Sequence, residues 1–519
     1  MQVGLLALGA GVVLAYMAAR LPLARMQELR IALTARDMVE QGHWLRPTFR
    51  GQPRYQKPPL MYWLTGAAYL CAGTTQSPLA ARAAGIAFSV GLIALVYIAG
   101  REWVGRRAAA AAAAMLATSY GFVRFGFRIE ADMAQAFWIL LSMWYAWRAW
   151  TKGHAPLWGW AAGAAAGLGT LTKSPAPLFT LAAVLLFGHR KRRTQEPTAW
   201  PSRVGALVLA VALALAWYVP VGLNGSSRMA AQAAMSSELS VMWDRPTHPG
   251  PIGYYSYTTL VATLPWSPAV VLGLVRTVRR ARSHTADRWL LVWLAATVFL
   301  LSAAANKQIH YCSLLLAPTL LMAGAWTTHP SAVAANRIRF TYGLALDVAL
   351  VCVGLALATS PAWTRYVSEL TVPTWVVGAG LATGLCGLVG IFRAHRTTSE
   401  LPRSTFLLGV WTLLLVLAGP MAPWIEREQV IMNFARSAAP HLAHASNLAG
   451  VGDNLASLEF HLGRPIREFR TLEDAWAALS RGGWLVVSSL HGFTQAPQPT
   501  RPLCEVRIGK TRIALYQHN

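Results

Sequence analysis

Over its first 422 residues the chain alternates long apolar runs with shorter polar breaks, and beyond that point the apolar runs shorten. The long runs fall near 3–17, 79–99, 107–122, 131–149, 156–171, 175–188, 203–223, 256–275, 289–305, 310–326, 339–358, 373–392 and 404–422. A helix rises about 1.5 Å per residue, so roughly 20 apolar residues cross a hydrocarbon layer of about 30 Å. The pattern therefore predicts thirteen membrane-spanning helices. The three runs between 107 and 171 are rich in Ala and Gly, which lets helix backbones approach closely inside a bilayer. Past residue 422, the apolar stretches Trp484–Leu490 and Ile513–Tyr516 alternate with a helix-like segment, Thr471–Leu479, that opens on a Thr-Leu-Glu-Asp capping pattern. The predicted fold class is an all-α polytopic membrane protein, residues 1–422, with a small extracytoplasmic α/β domain, residues 423–519.

The longest early interruption, within 24–78, is more than a connector. Gln27, Arg30, Thr34, Asp37 and Gln41 share one stripe at three- and four-residue spacing, with Met26, Leu29 and Leu33 beside it. That spacing predicts an amphipathic helix lying on the membrane interface. The loop ends in Tyr55-Gln56-Lys57-Pro58-Pro59-Leu60. Proline is favoured at a first helical position, so a helix should begin near Pro58. Helix N-termini attract anions, and Lys57 adds a full charge there, which suits a phosphate at the membrane surface. A lysine beside a membrane helix also commonly snorkels to lipid headgroups, and both readings stand.

Composition agrees with the membrane reading: 55% of the 519 residues are hydrophobic and 13% charged. The apolar run from Val3 to Met17 reads as a first span, not a cleaved signal, since no basic flank precedes it. The formal charge of +25 would point to nucleic acid if it formed one patch, but it is spread through short loops and sets orientation instead. Six alternate loops carry twenty Lys and Arg, and the five intervening ones after the first carry seven. The first set is thus cytoplasmic, with the N-terminus inside and the opening loop and C-terminal domain outside. Five cysteines without CxxC spacing argue against a disulfide framework or a zinc-thiolate site.

Several charges oppose that orientation rule. Lys57, Lys173 and Lys307 fall on the outer face at span ends, where a charge is costly unless paired or facing a cavity. Asp132, in Arg128-Ile-Glu-Ala-Asp132, opens an apolar span, where a carboxylate either caps the helix or does chemistry. His248, ahead of Tyr254, Tyr255 and Tyr257, is a ligand or a plain loop residue, and Asp347 reads as a hydrogen-bonded structural polar group or a functional one. Outer cations with a few outer carboxylates suit a lipid-linked phosphosugar: the cations hold the phosphate and stabilise the charge that develops on it, and a carboxylate takes the acceptor's proton.

The runs Gln27-Glu28-Leu29-Arg30, Ala35-Arg-Asp-Met-Val-Glu-Gln-Gly-His-Trp-Leu-Arg-Pro47 and Tyr55-Gln-Lys-Pro-Pro-Leu-Met-Tyr-Trp63 resemble the first outer loop of the family 39 glycosyltransferases, nearest the aminoarabinose transferase (ArnT) branch and related to the protein O-mannosyltransferases. The likeness continues through Arg82, Asp132-Met133, Leu171-Thr-Lys-Ser-Pro175, Leu264-Pro-Trp266 and Lys307 to Pro318. The resemblance implies a GT-C fold in a bacterial inner membrane, a polyprenyl-phosphate sugar as donor, inversion at the anomeric carbon, and a lipid, protein hydroxyl or envelope glycan as acceptor. It implies phosphate-binding roles for Arg30, Lys57, Lys173 and Lys307, and places Gln27, Tyr55, Gln56, Arg128 and His248 in the donor site.

Two positions depart from the family pattern, since its catalytic Asp is Gln27 here and its acid before Lys-Pro-Pro is Gln56. An amide is no base, so Glu28 or Asp132 takes the proton, or the chain is a degenerate binding or scaffold protein for the same lipid. Relatives that hold a metal near the phosphate use that lost acid with a loop His, so His248 alone makes a poor metal site; no cofactor is assigned, and a divalent metal stays open. A transporter would show related halves with paired broken helices, and the sequence has none.

Overall fold

The structure, a computed structural model, describes residues 2–23, 25–151, 155–187, 199–223, 232, 236, 248–328, 333–359, 374–396, 431–442, 447–452, 455–479, 483–489, 502–508 and 511–517. The chain is mostly helical and multi-spanning, with one small mixed sheet near its C-terminus. Among the described residues, five helices are long and apolar enough to cross a membrane unaided: Val3–Arg20, Pro78–Trp103, Arg203–Leu223, Thr285–Ala303 and Ile309–Thr327. The pair Arg106–Ala117 and Tyr120–Gly126, bent by 58°, makes a sixth if it counts as one span.

The other predicted spans that fall on described residues are helical but shorter, less apolar or interrupted. Ala176–Phe187 has only 12 residues. The run expected at 256–275 divides into Tyr254–Ala262 and Ser267–Arg280, with Thr263 to Trp266 between them. Pro265 there has no N–H to give an unbroken helix. The expected span at 404–422 lies outside the described residues.

The residues group into two compact units that do not follow a single cut in the chain. The first comprises Met1–Leu14, Arg54–Met61 and Gly85–Pro420. At its centre is Ser313–Thr327, all fifteen residues of which are buried. A helix apolar on every face has no polar side to show, and it is covered all round. Glycines let its neighbours close in: a Cβ on Gly324 would collide with the Ala108 carbonyl, and one on Gly273 with the Met322 backbone. The expected Ala/Gly-rich contacts are of the same kind, since Gly163 rests directly on the backbone of Ala206. The buried rings of Trp103, Trp147, Trp289 and Trp293 meet edge-on, with centroids 5.5–6.4 Å apart.

The second unit comprises Ala15–Pro53, Tyr62–Ala84 and Met421–Asn519. It contains the predicted amphipathic helix, Met26–Gln41, closed by Gly42 at φ 72° with its N–H on the Met38 carbonyl. A hairpin of β1 (Thr48–Phe49) and β2 (Gln52–Pro53) follows. The C-terminal sheet has strands β3 (Leu448–Gly452), β4 (Arg467–Phe469), β5 (Trp484–Ser489), β6 (Cys504–Ile508) and β7 (Thr511–Gln517) in the order β4-β3-β5-β7-β6. The first three are mutually parallel and the last two add antiparallel edges. Alternate residues of β5 and β7 enter opposite cores: Val486, Ile513 and Leu515 on one face, Leu485, Val487, Ala514 and Tyr516 on the other. The capping pattern acts as its sequence predicts, with the Thr471 side chain accepting from the Asp474 N–H at the start of Leu472–Ala477.

Within this unit the helix Leu455–Leu462 is bound to Met26–Gln41 and the hairpin through one carboxylate. Glu459 accepts from Arg36 Nη2 at 3.1 Å and from Arg50 Nε at 2.8 Å, while Arg36 Nη1 reaches the Glu459 carbonyl at 3.1 Å. Arg50 also donates to Glu468 and to the Ile466 carbonyl, and takes the left-handed conformation (φ 53°) to do so. Ser457 adds a hydrogen bond to the Leu23 carbonyl at 2.6 Å.

Candidate functional site

In the first unit a charged cluster forms where three breaks between helices converge. The segment Arg128 to Ala131 delivers Asp132 to the N-terminus of Asp132–Thr151, where the helix dipole favours a carboxylate. The corner Lys173-Ser174-Pro175, between Ala155–Thr172 and Ala176–Phe187, delivers Lys173. Its Nζ donates to both Asp132 oxygens, at 2.7 and 2.8 Å, and stands 4.4 Å above the ring of Tyr311. One turn further along, Gln135 Nε2 donates to the Ser174 carbonyl at 2.8 Å and Ser174 Oγ to Gln135 Oε1 at 3.2 Å, so the corner is fixed to the helix it serves.

The third break is the 3-10 turn Ile309–Cys312 that opens the buried central helix. It brings His310 Nε2 to 3.9 Å from Asp132 Oδ2, the ring edge-on to Tyr311 and Phe125. Glu130 completes the group, and donor atoms of Glu130, Asp132 and His310 all lie within 4.8 Å of one another. All three residues are buried, Asp132 to 1% exposure. Such a trio has the chemistry to attract a divalent ion, but Lys173 already presses an ammonium onto both Asp132 oxygens. A second cation would meet it at close range, so the arrangement is a lysine-neutralised carboxylate. Lys57, half-buried just before the helix Leu60–Ala72, is near enough for its charge to act on Asp132 as well.

The other sequence candidates fall elsewhere. Tyr55 is buried beside the ring of Trp217, centroids 6.1 Å apart. The side-chain oxygen of Gln56 is buried and accepts no hydrogen bond. Arg128 donates to the Arg124 carbonyl at 3.0 Å and lies over Phe127. Lys307 is buried, and its ammonium turns to the carbonyls of Leu301, Ser302 and Ala304, the C-terminal end of Thr285–Ala303. His248 is exposed, its carbonyl accepting from the Lys307 N–H at 2.8 Å and its Nδ1 3.3 Å from Gln308 Nε2.

In the second unit Gln27 is exposed, Arg30 half-buried, and Glu28 buried in a two-bond pair with Arg82, at 2.8 and 3.0 Å. Arg82 also donates to the carbonyls of Ala18, Leu21 and Pro22. His310 and Glu130 were not among the sequence-level site candidates. The signal available was a His-Tyr pair three residues past a lysine, at the mouth of an apolar span.

The profile of the dolichyl-phosphate-mannose-protein mannosyltransferase family matches residues 56–218, the stretch that holds Lys57, Asp132 and Lys173. The ArnT of Cupriavidus metallidurans, crystallised with undecaprenyl phosphate, superposes with a TM-score of 0.74 over 98% of this chain and 97% of that one, at 17% identity. The chain is similar to this family over that stretch and to ArnT in its fold. The apo form of the same ArnT gives a TM-score of 0.69 at 19% identity over 93% and 92% of the two chains, and both likenesses are of fold. In sequence, the undecaprenyl phosphate-alpha-4-amino-4-deoxy-L-arabinose arabinosyl transferase of Pseudomonas paraeruginosa is 26% identical over 500 residues, 92% of this chain and 85% of that relative. The Pectobacterium carotovorum enzyme of the same name is 26% identical over 345 residues, 64% of this chain, and the match spans 61% of that relative's length.

Proposed function

We propose that this protein transfers a sugar from a polyprenyl phosphate, undecaprenyl phosphate in a bacterial inner membrane, to a hydroxyl outside the cytoplasm, on lipid A, a protein or an envelope glycan. The observation that carries the reading is a buried carboxylate, Asp132, gripped by Lys173 and within reach of the charge on Lys57, in an ArnT-like multi-span fold. In this reading the GT-C membrane part, with its active site and the C-terminal domain on the outer face, presents the cluster at headgroup depth. Lys57 holds the donor phosphate and stabilises the charge it gains as the sugar leaves. The acceptor oxygen attacks the anomeric carbon from the face opposite the phosphate, with inversion. Asp132 takes up the acceptor's proton. Glu28, tied to Arg82 in a buried pair, acts in this scheme as a structural group.

Gln27 favours a second reading, a lipid-phosphate-sugar binding protein without turnover, because an amide stands where the family's base does. One experiment separates the two: purified full-length protein, assayed with an undecaprenyl-phosphate sugar and with envelope lipids and glycoproteins compared by mass spectrometry between cells with and without it. Sugar transfer that falls in Asp132→Asn supports the enzyme. Donor binding with no product in any fraction leaves the binding protein.

A further inference from the structure

We propose that His310 is the second half of the base, a positioning residue that receives through Asp132 the proton lost by the acceptor; this rests on the transferase reading above. Asp132 by itself is poorly suited to keep a proton, because both oxygens already accept from Lys173. A proton added to either removes the negative charge that pairs with the Lys173 ammonium inside a buried site. His310 is the neighbouring group that can relieve it. Its Nε2 lies 3.9 Å from Asp132 Oδ2, just beyond hydrogen-bond reach. Proton-transfer geometry commonly tightens when substrate binds.

The charges facing the imidazole favour this. Asp132 comes from the start of its helix, Glu130 from the preceding turn and Lys173 from the corner between the next two helices. Lys57 acts on Asp132 from the donor loop. Phe125 and Tyr311 supply ring edges, and Arg124 acts at the adjacent Cys312. Lys57, Lys173 and Arg124 thus face Asp132 and Glu130 around the imidazole. A donor phosphodiester brings one negative charge, and cleavage of the sugar–phosphate bond leaves a second on the departing phosphate.

The step balances as follows. The acceptor oxygen's electron pair forms the new bond to the anomeric carbon, the old carbon–oxygen pair leaves on the phosphate, and the acceptor proton passes by way of Asp132 to His310 Nε2. The imidazolium then sits near the Asp132 and Glu130 carboxylates at the moment the phosphate gains charge, and a carboxylate steadies an imidazolium in the same way in serine hydrolases. Release of the proton to water or to the departing phosphate resets the cluster.

The test compares wild-type protein with His310→Gln, which keeps size and polarity but accepts no proton, and with His310→Ala supplemented with imidazole. Turnover is measured against pH, and undecaprenyl phosphate binding separately. The relay predicts unchanged lipid binding, kcat lower by roughly 100-fold, the acid limb of the rate profile lost in His310→Gln, and partial recovery of His310→Ala by imidazole. A wild-type profile in His310→Gln overturns the relay alone. So does a loss of rate matched by an equal loss of lipid binding, with no rescue, which marks a structural role. No turnover in the wild-type protein overturns the transferase reading and the relay with it.

Discussion

Arg82 donates Nε and Nη2 to the two oxygens of Glu28, and both side chains are 1% exposed. Removing one partner from such a pair leaves an uncompensated buried charge, at a cost of about 3–5 kcal/mol. Arg82→Ala further abandons three carbonyls that its guanidinium serves. Glu28→Gln and Arg82→Ala should therefore lower the thermal midpoint and the yield of folded protein strongly. Whatever folded Glu28→Gln protein is recovered should retain its turnover per molecule. A stable Glu28→Gln protein with abolished turnover would instead return the base role to Glu28.

Lys307 offers a contrast with Lys57. Its ammonium serves the last carbonyls of Thr285–Ala303, where a cation also complements the helix dipole. Lys307→Met should destabilise the protein by about 1 kcal/mol and leave undecaprenyl phosphate affinity unchanged. Lys57→Ala should weaken that affinity by roughly 10- to 100-fold, the loss of one charge-assisted contact, with little change in thermal midpoint. Direct lipid binding to both variants, beside their melting curves, checks the pair.

The two lysines also show what the sequence carries and what it conceals. Hydrophobic periodicity reveals helices because burial sets it, and it marks the five long apolar helices, the amphipathic helix Met26–Gln41 and the capped helix at Thr471. It could not reveal that 256–275 breaks around Pro265, or that residues 15–53 and 62–84 form one compact unit with the C-terminal sheet. That association rests on Glu459 meeting Arg36 and Arg50, separated by some four hundred residues, and no local pattern records it. For charges, sequence marks the anomaly but not its partner. Lys173 and Lys307 look alike at span ends, yet one binds a carboxylate and the other a helix end. His310 gave still less signal, because a histidine beside a tyrosine in an apolar run reads as core.

Asp132 and Lys173 should show strong coupling. Lys173→Met strips both hydrogen bonds from a buried carboxylate and leaves its charge unpaired, whereas Asp132→Asn leaves a buried ammonium. Each single variant should reduce kcat by about 100-fold or more and lower stability. The double variant Asp132→Asn/Lys173→Met should recover much of the stability and none of the turnover. Additive losses of stability would show that the two residues are not a functional pair.

Asp37 supplies a pH dependence of the fold itself. It is buried among Arg36, Glu40 and Glu459 and accepts from Thr48 Oγ1 at 3.1 Å. Burial outweighs that hydrogen bond and the Arg36 charge, and holds the carboxyl up at about 6, against 3.8 for the free group. A carboxyl raised by folding binds its proton more tightly in the native state than in the unfolded one. Its contribution to stability is therefore fully present below pH 3.8 and is lost as pH rises through about 6. Asp37→Asn keeps an acceptor for Thr48 but cannot ionise. The thermal midpoint of the variant should match or exceed that of wild type at pH 7. The part of the wild-type midpoint's pH dependence between 4 and 6 that comes from this residue should disappear. Midpoints of the two proteins measured in parallel across that range decide the matter, and identical slopes would show that Asp37 titrates as an ordinary exposed carboxylate.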